Sequence, residues 1–302
     1  MESVAILLTC HNRREKTLSC LESVDNQETR FQLKKNIVLV DDGSTDGTSS
    51  AVQDQFPEVT VIRGDGNLYW NGGMRVAMNH AMELEPDFYL LLNDDTTLYS
   101  DAISRLIKEH HGLRERREVP IALVGSTQDP QSGEITYGGW KTNKWWNPLH
   151  TEIVRPSDRP IKCDTFNANC ALIEKEVVAT VGNLDPSYTH GFGDFDYGFR
   201  VNASGGEVWV GSGFHGECIR DHGEHPWFDT NRSWKERIDA LREVKAEPLD
   251  ERMVYARRHG GPLWVVPWLS PYLRVTLDYL FPGAFRPSTP FDDDTVSSQE
   301  RS

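Results

Sequence analysis

The sequence offers no cysteine pairing signature, no long apolar run and no excess of positive charge. Each absence removes a class of protein. The cysteines are Cys10, Cys20, Cys163, Cys170 and Cys218, an odd number without a Cys-x-x-Cys pair. That argues against a disulfide framework or a zinc knuckle and leads us to expect reduced thiols and a cytoplasmic location. Lys and Arg together number 32 against 46 Asp and Glu, for a formal net charge of −14. A nucleic-acid partner would call for a basic footprint, so none is expected. No run of 18 apolar residues occurs, so no spanning helix is expected. The first apolar run, Val4 to Thr9, follows an acid at Glu2 and is broken by Asn12, Arg13 and Arg14, flanks that do not suit a signal peptide. Gly64, Gly66, Gly72 and Gly73 do not form Gly-x-Gly-x-x-Gly and do not follow the first strand, which disfavours a dinucleotide site.

What remains is an ordinary soluble composition, 38% hydrophobic and 26% charged over 302 residues. This suits one large domain, or one domain with an extension. Its centre is Phe88-Tyr-Leu-Leu-Leu-Asn93-Asp94-Asp95-Thr96. An apolar run of this length reads as a strand buried on both faces. The acids then sit at its carboxyl end, where open α/β sheets bind ligands. Paired carboxylates there suit a hard cation such as Mn²⁺ or Mg²⁺ shared with a phosphate. The structural alternative makes Asp95 the cap of a helix starting near Asp101.

The same grammar recurs along the chain. Val4–Thr9 predicts a strand and Glu15–Val24 a helix with Leu18, Leu21 and Val24 on one face. Ile37–Val40 predicts a strand ending in Asp41-Asp42-Gly43-Ser44, with a helix over Thr48–Gln55. Val59–Ile62 predicts a third strand. A glycine-rich loop around Asn67 then leads to a helix over Met74–Leu84. Ile121–Val124, Asn169–Ile173 and Glu207–Val210 predict further strands, and Tyr137–Trp146 a hairpin or loop. A helix is expected near Glu174–Val181, and another is entered from Thr189-His-Gly-Phe-Gly-Asp194-Phe-Asp196. Strands alternating with helices imply βαβ units and a mainly parallel sheet.

Acids therefore collect at three places: Asp41/Asp42, Asp94/Asp95 and Asp194/Asp196. Singly, each has a structural reading, as turn residues before Gly43 or as cap and first-turn charges of a helix. Together, two of them directly behind apolar strands, they point to a site.

In these motifs the chain resembles the family 2 inverting glycosyltransferases of GT-A fold. The matching residues are Thr9-Cys-His-Asn-Arg13, Val40-Asp-Asp-Gly-Ser44, Asn67 with Gly72-Gly73-Met74-Arg75, Asn93-Asp-Asp95 and Gly193-Asp-Phe-Asp196-Tyr-Gly-Phe-Arg200. They span roughly residues 3 to 215. The last motif, with Arg257-Arg-His-Gly-Gly261, is similar to the rhamnosyl- and galactofuranosyltransferase branch. The resemblance implies a nucleotide-binding α/β sheet flanked by helices over 1–215; the residues beyond predict a helical extension over 216–285 and, from their Pro, Ser and Asp content, a disordered tail over 286–302. It implies Thr9, Arg13, Asp41, Asp42, Asn67 and Asp94 around the nucleotide, Asp95 on a Mn²⁺ or Mg²⁺ ion, and Asp194 as general base. A third metal ligand, commonly His, is expected after the last strand, where His215 and His222 compete. The implied reaction is transfer from a UDP- or dTDP-sugar to a glycan or lipid-linked hydroxyl. Many relatives carry Glu where Gly193 stands, which keeps a sugar-nucleotide-binding protein without turnover as one alternative. A nucleotidyltransferase is the other, although Cys10-His11-Asn12-Arg13-Arg14 lacks its glycine-rich loop.

Trp70, Trp140, Trp145 and Trp146 are either sugar platforms or core. The charged residues from Arg232 to Arg258 alternate in sign and read as a solvated helical face. Pro262–Phe281 is the most apolar and aromatic stretch. Pro267 and Pro271 predict that it is not one continuous helix. It is expected to pack back on the protein, to form a homo-oligomer contact, or to touch the inner face of the membrane peripherally through Trp264, Trp268, Tyr272 and Tyr279.

Overall fold

A computed structural model describes residues 1–28, 31–144, 147–220, 226–246 and 248–281. Trp145, Trp146, His222 and the tail 286–302 lie outside the described residues. In chain order the α/β part begins β1 (Glu2–Cys10), α1 (Arg14–Asp25), β2 (Leu33–Asp41), α2 (Thr48–Gln55), β3 (Thr60–Arg63), α3 (Tyr69–Met82), β4 (Phe88–Leu92), β5 (Thr97–Leu98) and α4 (Ala102–Arg114). It continues with β6 (Ile121–Gln128), β7 (Ile135–Tyr137), β8 (Gly139–Thr142), β9 (Thr151–Ile153), β10 (Ile161–Cys163), β11 (Thr165–Phe166), β12 (Cys170–Glu174), α5 (Lys175–Val181), α6 (Gly193–Ala203) and β13 (Glu207–Glu217). A short 3₁₀ turn at Pro226–Phe228 precedes α7 (Trp234–Leu241), α8 (Leu249–His259) and α9 (Val265–Leu280). Two compact units result, Met1–Asn143 with Ile153–Asp221 and Lys144–Glu152 with His222–Ser302.

The main sheet runs β10-β13-β6-β12-β4-β1-β2-β3. Pairing is parallel through β4, β1, β2 and β3 and again between β6 and β13, while β12 is antiparallel to both β4 and β6. Helices cover both faces, as the all-buried strand sequences require. Val4, Ile6 and Leu8 of β1 and Phe88, Leu90 and Leu92 of β4 face a core completed by α1, α2 and α4. Ala5, Leu7, Tyr89 and Leu91 face the opposite core, built from α3, α5 and α6. Because side chains alternate, a one-residue slip of β4 would exchange the two cores and turn Asp94 and Asp95 to the wrong sides. The register Ile6↔Leu90 and Leu90↔Leu172 therefore fixes the acids as well as the core.

Two elements differ from the sequence expectation near the sheet. Helix α3 starts at Tyr69, so Gly72 and Gly73 lie inside it rather than in a loop. A Cβ on Gly73 would lie 2.9 Å from Thr9 Cβ and closer still to its hydroxyl. Glycine there serves the close approach of α3 to β1 rather than a turn. Strand β13 continues to Glu217 through register shifts between Val210, Phe214 and Gly216, where its glycines interrupt the apolar pattern.

The second unit has its own small core of Trp227, Ile238, Ala240, Leu241 and Val275, with Phe228 and Tyr272 against it. Arg237, expected on a solvated face, is 5% exposed. It donates to Asp278 Oδ2 at 2.8 Å and to the Trp227 carbonyl at 2.8 Å. The aromatic stretch also departs from expectation, because α9 runs unbroken through both prolines. Pro267 lies in the first turn, where its missing N–H costs nothing. Pro271 leaves the Pro267 carbonyl without its helical donor. Arg252 Nε at 2.8 Å and Ser270 Oγ at 3.0 Å take over that carbonyl.

Candidate active site

The parallel strands bring their carboxyl ends to one edge of the sheet. Antiparallel β12 begins at that same edge. Residues just after β1, β2, β4 and β13 therefore meet residues just before β12.

At the end of β4, Asp94 is 3% exposed and Asp95 lies beside it at a more open position. Arg13, delivered by β1, spans both. Its Nη1 is 3.1 Å from Asp94 Oδ1, and its Nη2 bonds Asp95 Oδ2. Burial pushes the Asp94 carboxyl up to about 7, against the lowering effect of Arg13 and with a raising contribution from Asp95. Thr17 Oγ1 of α1 adds a bond to Asp94 Oδ2 at 3.3 Å. Asp95 is no helix cap, since Asp101 occupies that position for α4. Its Oδ1 instead accepts from Cys218 Sγ at 3.5 Å, just past β13. Burial and the neighbouring Asp95 push the Cys218 thiol up to about 12, so it stays protonated and donates.

Asn93 anchors the pair from behind. Its N–H donates to the Asn169 carbonyl at 3.2 Å, its side-chain oxygen accepts from Trp70 Nε1 at 2.8 Å, and its carbonyl accepts from Cys20 Sγ at 3.3 Å. Trp70 is thus a tether from α3, and Trp140, 7% exposed, is a core residue whose Nε1 donates to Asn167.

Asp41 and Asp42 at the end of β2 are both buried. Asp41 accepts from Ser44 N at 2.9 Å and from the Ser49 hydroxyl, which ties the turn to α2. Asp42 accepts from Gly66 N at 2.8 Å and Tyr69 N at 2.9 Å. It thereby fixes the loop that carries exposed Asn67 and starts α3. Thr9 packs under Gly73 on the adjacent strand end.

Asp194 enters from α6. The N-cap position belongs to Phe192, held at φ 63°, and Asp194 sits in the first turn. Its Oδ2 accepts from Ala168 N at 3.2 Å and its Oδ1 from Phe195 N at 2.8 Å. Ala168 precedes Asn169, which bonds Asn93, so two adjacent residues connect Asp194 to the acid pair of β4. Burial raises the Asp194 carboxyl to about 6, with those backbone N–H groups opposing it. Asp196, by contrast, is wholly buried, 2.7 Å from Arg200 Nε and 3.3 Å from the Tyr188 hydroxyl.

Gly193 has a packing explanation that the sequence did not reveal. A Cβ there would meet Asn71 Cγ at 2.8 Å and its Oδ1 closer still. Asn71 is fully buried and held by bonds from Nδ2 to the carbonyls of Asp185 at 2.9 Å and Tyr188 at 2.6 Å. Its side chain fills the space that any larger residue at 193 would need.

His215, expected as a candidate metal ligand, lies inside the protein on β13. Its ring is 0% exposed and packed against Gly125 and Gly211, beside Glu109 and Arg105 on the α4 side of β13. Burial, with Arg105 adding to it, lowers its pKa to about 3. The residue of this strand end that reaches Asp95 is Cys218, three positions later. The sequence gives no sign of it, since the apolar pattern predicts a strand ending at Val210 and β13 runs on to Glu217. Among the described residues, no three His, Cys, Asp or Glu side chains converge as a ready-made cation site.

Comparison with known proteins agrees with the fold. The chain is 25% identical over 268 residues to N-acetylglucosaminyl-diphospho-decaprenol L-rhamnosyltransferase of Mycobacterium tuberculosis, covering 80% of this chain and 79% of the relative. A mannosyltransferase from Pyrobaculum calidifontis, solved with GDP-Man and Mn²⁺, shares the fold at a TM-score of 0.55 and 17% identity, over 92% of this chain and 70% of that one. Staphylococcus aureus TarS (1–349), solved with UDP-GlcNAc, gives a TM-score of 0.53 at 14% identity, over 94% of this chain and 77% of that one. The profile of glycosyl transferase family 2 matches residues 5–180, most of the α/β unit, and the chain belongs to that family.

Proposed function

We propose that this family 2 glycosyltransferase is an inverting, metal-dependent enzyme. It moves a sugar from a UDP- or dTDP-sugar to a hydroxyl of a glycan or lipid-linked acceptor. The observation that carries this reading is the pairing of an acid cluster on β4 with Asp194 across Ala168 and Asn169. A carboxyl raised to about 6 is mostly ionised near neutral pH and still basic enough to take a hydroxyl proton. The rhamnosyltransferase relative supports a lipid-linked acceptor, and the TarS complex supports a uridine donor.

The residues present fit a divalent cation. Asp94 and Asp95 already hold one positive group, the Arg13 guanidinium, at a strand end. One or two carboxylates are what a Mg²⁺- or Mn²⁺-type ion takes from protein when substrate phosphates supply the rest. A bound ion of this kind supplies charge to stabilise the leaving diphosphate. In this reading Asp95 holds the cation and Asp94 faces the ribose. Arg13 turns from the acids toward the phosphates, and Thr9, Asp41, Asp42 and Asn67 shape the nucleotide pocket. Asp194 holds the acceptor hydroxyl and takes its proton as the new glycosidic bond forms from the opposite face of the sugar. Gly193 is accounted for by Asn71 and so lends no support to a protein without turnover.

The test combines donor hydrolysis and donor binding. A panel of UDP-, dTDP- and GDP-sugars is measured with and without Mn²⁺, alongside Asp95→Ala. Mn²⁺ should strengthen binding of one uridine or thymidine donor to the parent, and Asp95→Ala should abolish that enhancement while its circular dichroism stays unchanged. Equal enhancement in the variant removes Asp95 from the cation site.

A further inference from the structure

The exterior of α9 poses a problem that the catalytic reading leaves untouched. Val266, Leu269, Leu273, Leu277 and Leu280 follow helical spacing and share one face. Of these, Val266 is 57%, Leu273 53% and Leu280 59% exposed, while Leu269 is intermediate. The other face, with Pro267, Pro271, Val275 and Asp278, is the buried one. A helix apolar on both faces normally has both covered. Here one is covered by the small core of its own unit and the other stands in water. Leu263, Val265, Tyr279 and Phe281, all more than 40% exposed, extend the strip at its two ends. Scattered exposed apolar residues need no explanation, but a contiguous strip of this length does.

We infer that this strip is a peripheral docking surface for an anionic lipid bilayer. Charge complementarity favours that occupant. The only acid on α9, Asp278, is turned inward onto Arg237 at 2.8 Å, so the helix adds no negative charge to its outer side. Arg257 and Arg258, both exposed, end α8 a few residues before Leu263. A chain of net charge −14 thus carries a pair of exposed cations next to the start of its apolar strip. Basic groups next to inserted aliphatics are the pattern of interfacial binding.

Residue type favours lipid over a protein partner. Protein hot spots are rich in Trp, Tyr and Arg and poor in Leu and Val. The aromatics that the sequence suggested for membrane contact are mostly engaged inside the unit. Trp268 Nε1 donates to the Leu249 carbonyl at 2.9 Å, Trp264 stacks on Trp268, and Tyr272 packs on the small core. What faces outward is mainly aliphatic, with Tyr279 and Phe281 at the carboxyl end of the helix. No helix among the described residues is long and apolar enough to cross a membrane, so the contact is one of lying on the surface.

The test needs no substrate and stands apart from the transferase reading. Full-length protein is floated with vesicles of phosphatidylcholine alone and of phosphatidylcholine with phosphatidylglycerol. A double variant, Leu273→Glu with Leu277→Glu, and a charge variant, Arg257→Glu with Arg258→Glu, are run beside it. Each is checked for unchanged circular dichroism and melting. Light scattering reports oligomeric state. The parent should float with the anionic vesicles and less with the neutral ones. The leucine variant should lose roughly 10²-fold or more in partition, and the arginine variant should lose the preference for anionic lipid. A parent that stays unbound to both vesicle types overturns the inference. So does floating that the leucine variant does not weaken, or a parental dimer that the leucine variant disperses, which would assign the strip to a second copy of the chain.

Discussion

Replacing Gly193 by alanine probes how Asp194 is held. The new Cβ would sit 2.8 Å from Asn71 Cγ and 3.4 Å from Asn71 Cβ, with the amide oxygen nearer still. Two ways out exist. Asn71 can swing aside, which breaks its bonds to the Asp185 and Tyr188 carbonyls. Each such bond is worth about 0.5–1.5 kcal/mol net, and more where a buried group is stranded. Alternatively the first turn of α6 shifts, which costs about 1–3 kcal/mol as overpacking and carries Asp194 with it. Either route gives about 1–3 kcal/mol of destabilisation. For a unit of this size that is about 2–12 °C in melting temperature. Thermal melting of Gly193→Ala, Asn71→Ala and the double variant measures it. In the double variant the clash is gone, so its loss should fall short of the summed single losses by about 1–2 kcal/mol. A Gly193→Ala protein melting within a degree of the parent, or strictly additive losses, would refute the reasoning.

Asp194→Asn keeps the shape of the site but takes no proton. Donor binding by calorimetry should be unchanged and transfer should fall by roughly 10²-fold or more; undiminished transfer places the base elsewhere. In the parent, activity should rise as pH climbs through about 6, where the Asp194 carboxyl ionises, and a flat profile from pH 5 to 8 would count against it. His215 has a pKa lowered from 6.5 to about 3 in the folded state. Its contribution to stability is therefore complete above 6.5 and lost as pH falls toward 3. His215→Leu should flatten the acid limb of a melting-temperature profile and leave Mn²⁺ binding intact. Asp278→Ala strands the buried Arg237 and should destabilise the helical unit by about 3–5 kcal/mol. Arg237→Met with Asp278→Leu should recover most of that loss in the same denaturation assay.

The strands that end in acids were legible because a buried strand leaves little choice of residue: β1, β2 and β4 are apolar runs with polar residues at their ends. Helix α2 was also readable to its limits, Thr48 to Gln55. Helix α3 was read late because Gly72 and Gly73 signal a loop locally, while contact with Thr9 decides their use. Helix α9 was read as broken because the proline rule is local and Arg252, which satisfies the freed carbonyl, lies on another helix. The acids themselves were found, but not their partners. Arg13 across Asp94 and Asp95, Cys218 on Asp95, and Asn71 under Gly193 are long-range contacts that no local pattern encodes. Order along the chain alone points to His215, whose ring lies beside Glu109 of α4.

The reversal of β12 has a consequence for how such a site is remodelled. Strand β6 leaves the sheet at the edge where the acids gather, and β12 returns at that same edge. The intervening chain, from Asp129 to Asn169, lends β7 and β10 to that sheet and Cys163, Phe166 and Ala168 to the core on the α3 side. Any transplant of it between relatives has to carry Cys163, Phe166, Ala168 and Asn169 unchanged, and the turn 130–134, exposed throughout, is the part that can be exchanged without touching a core.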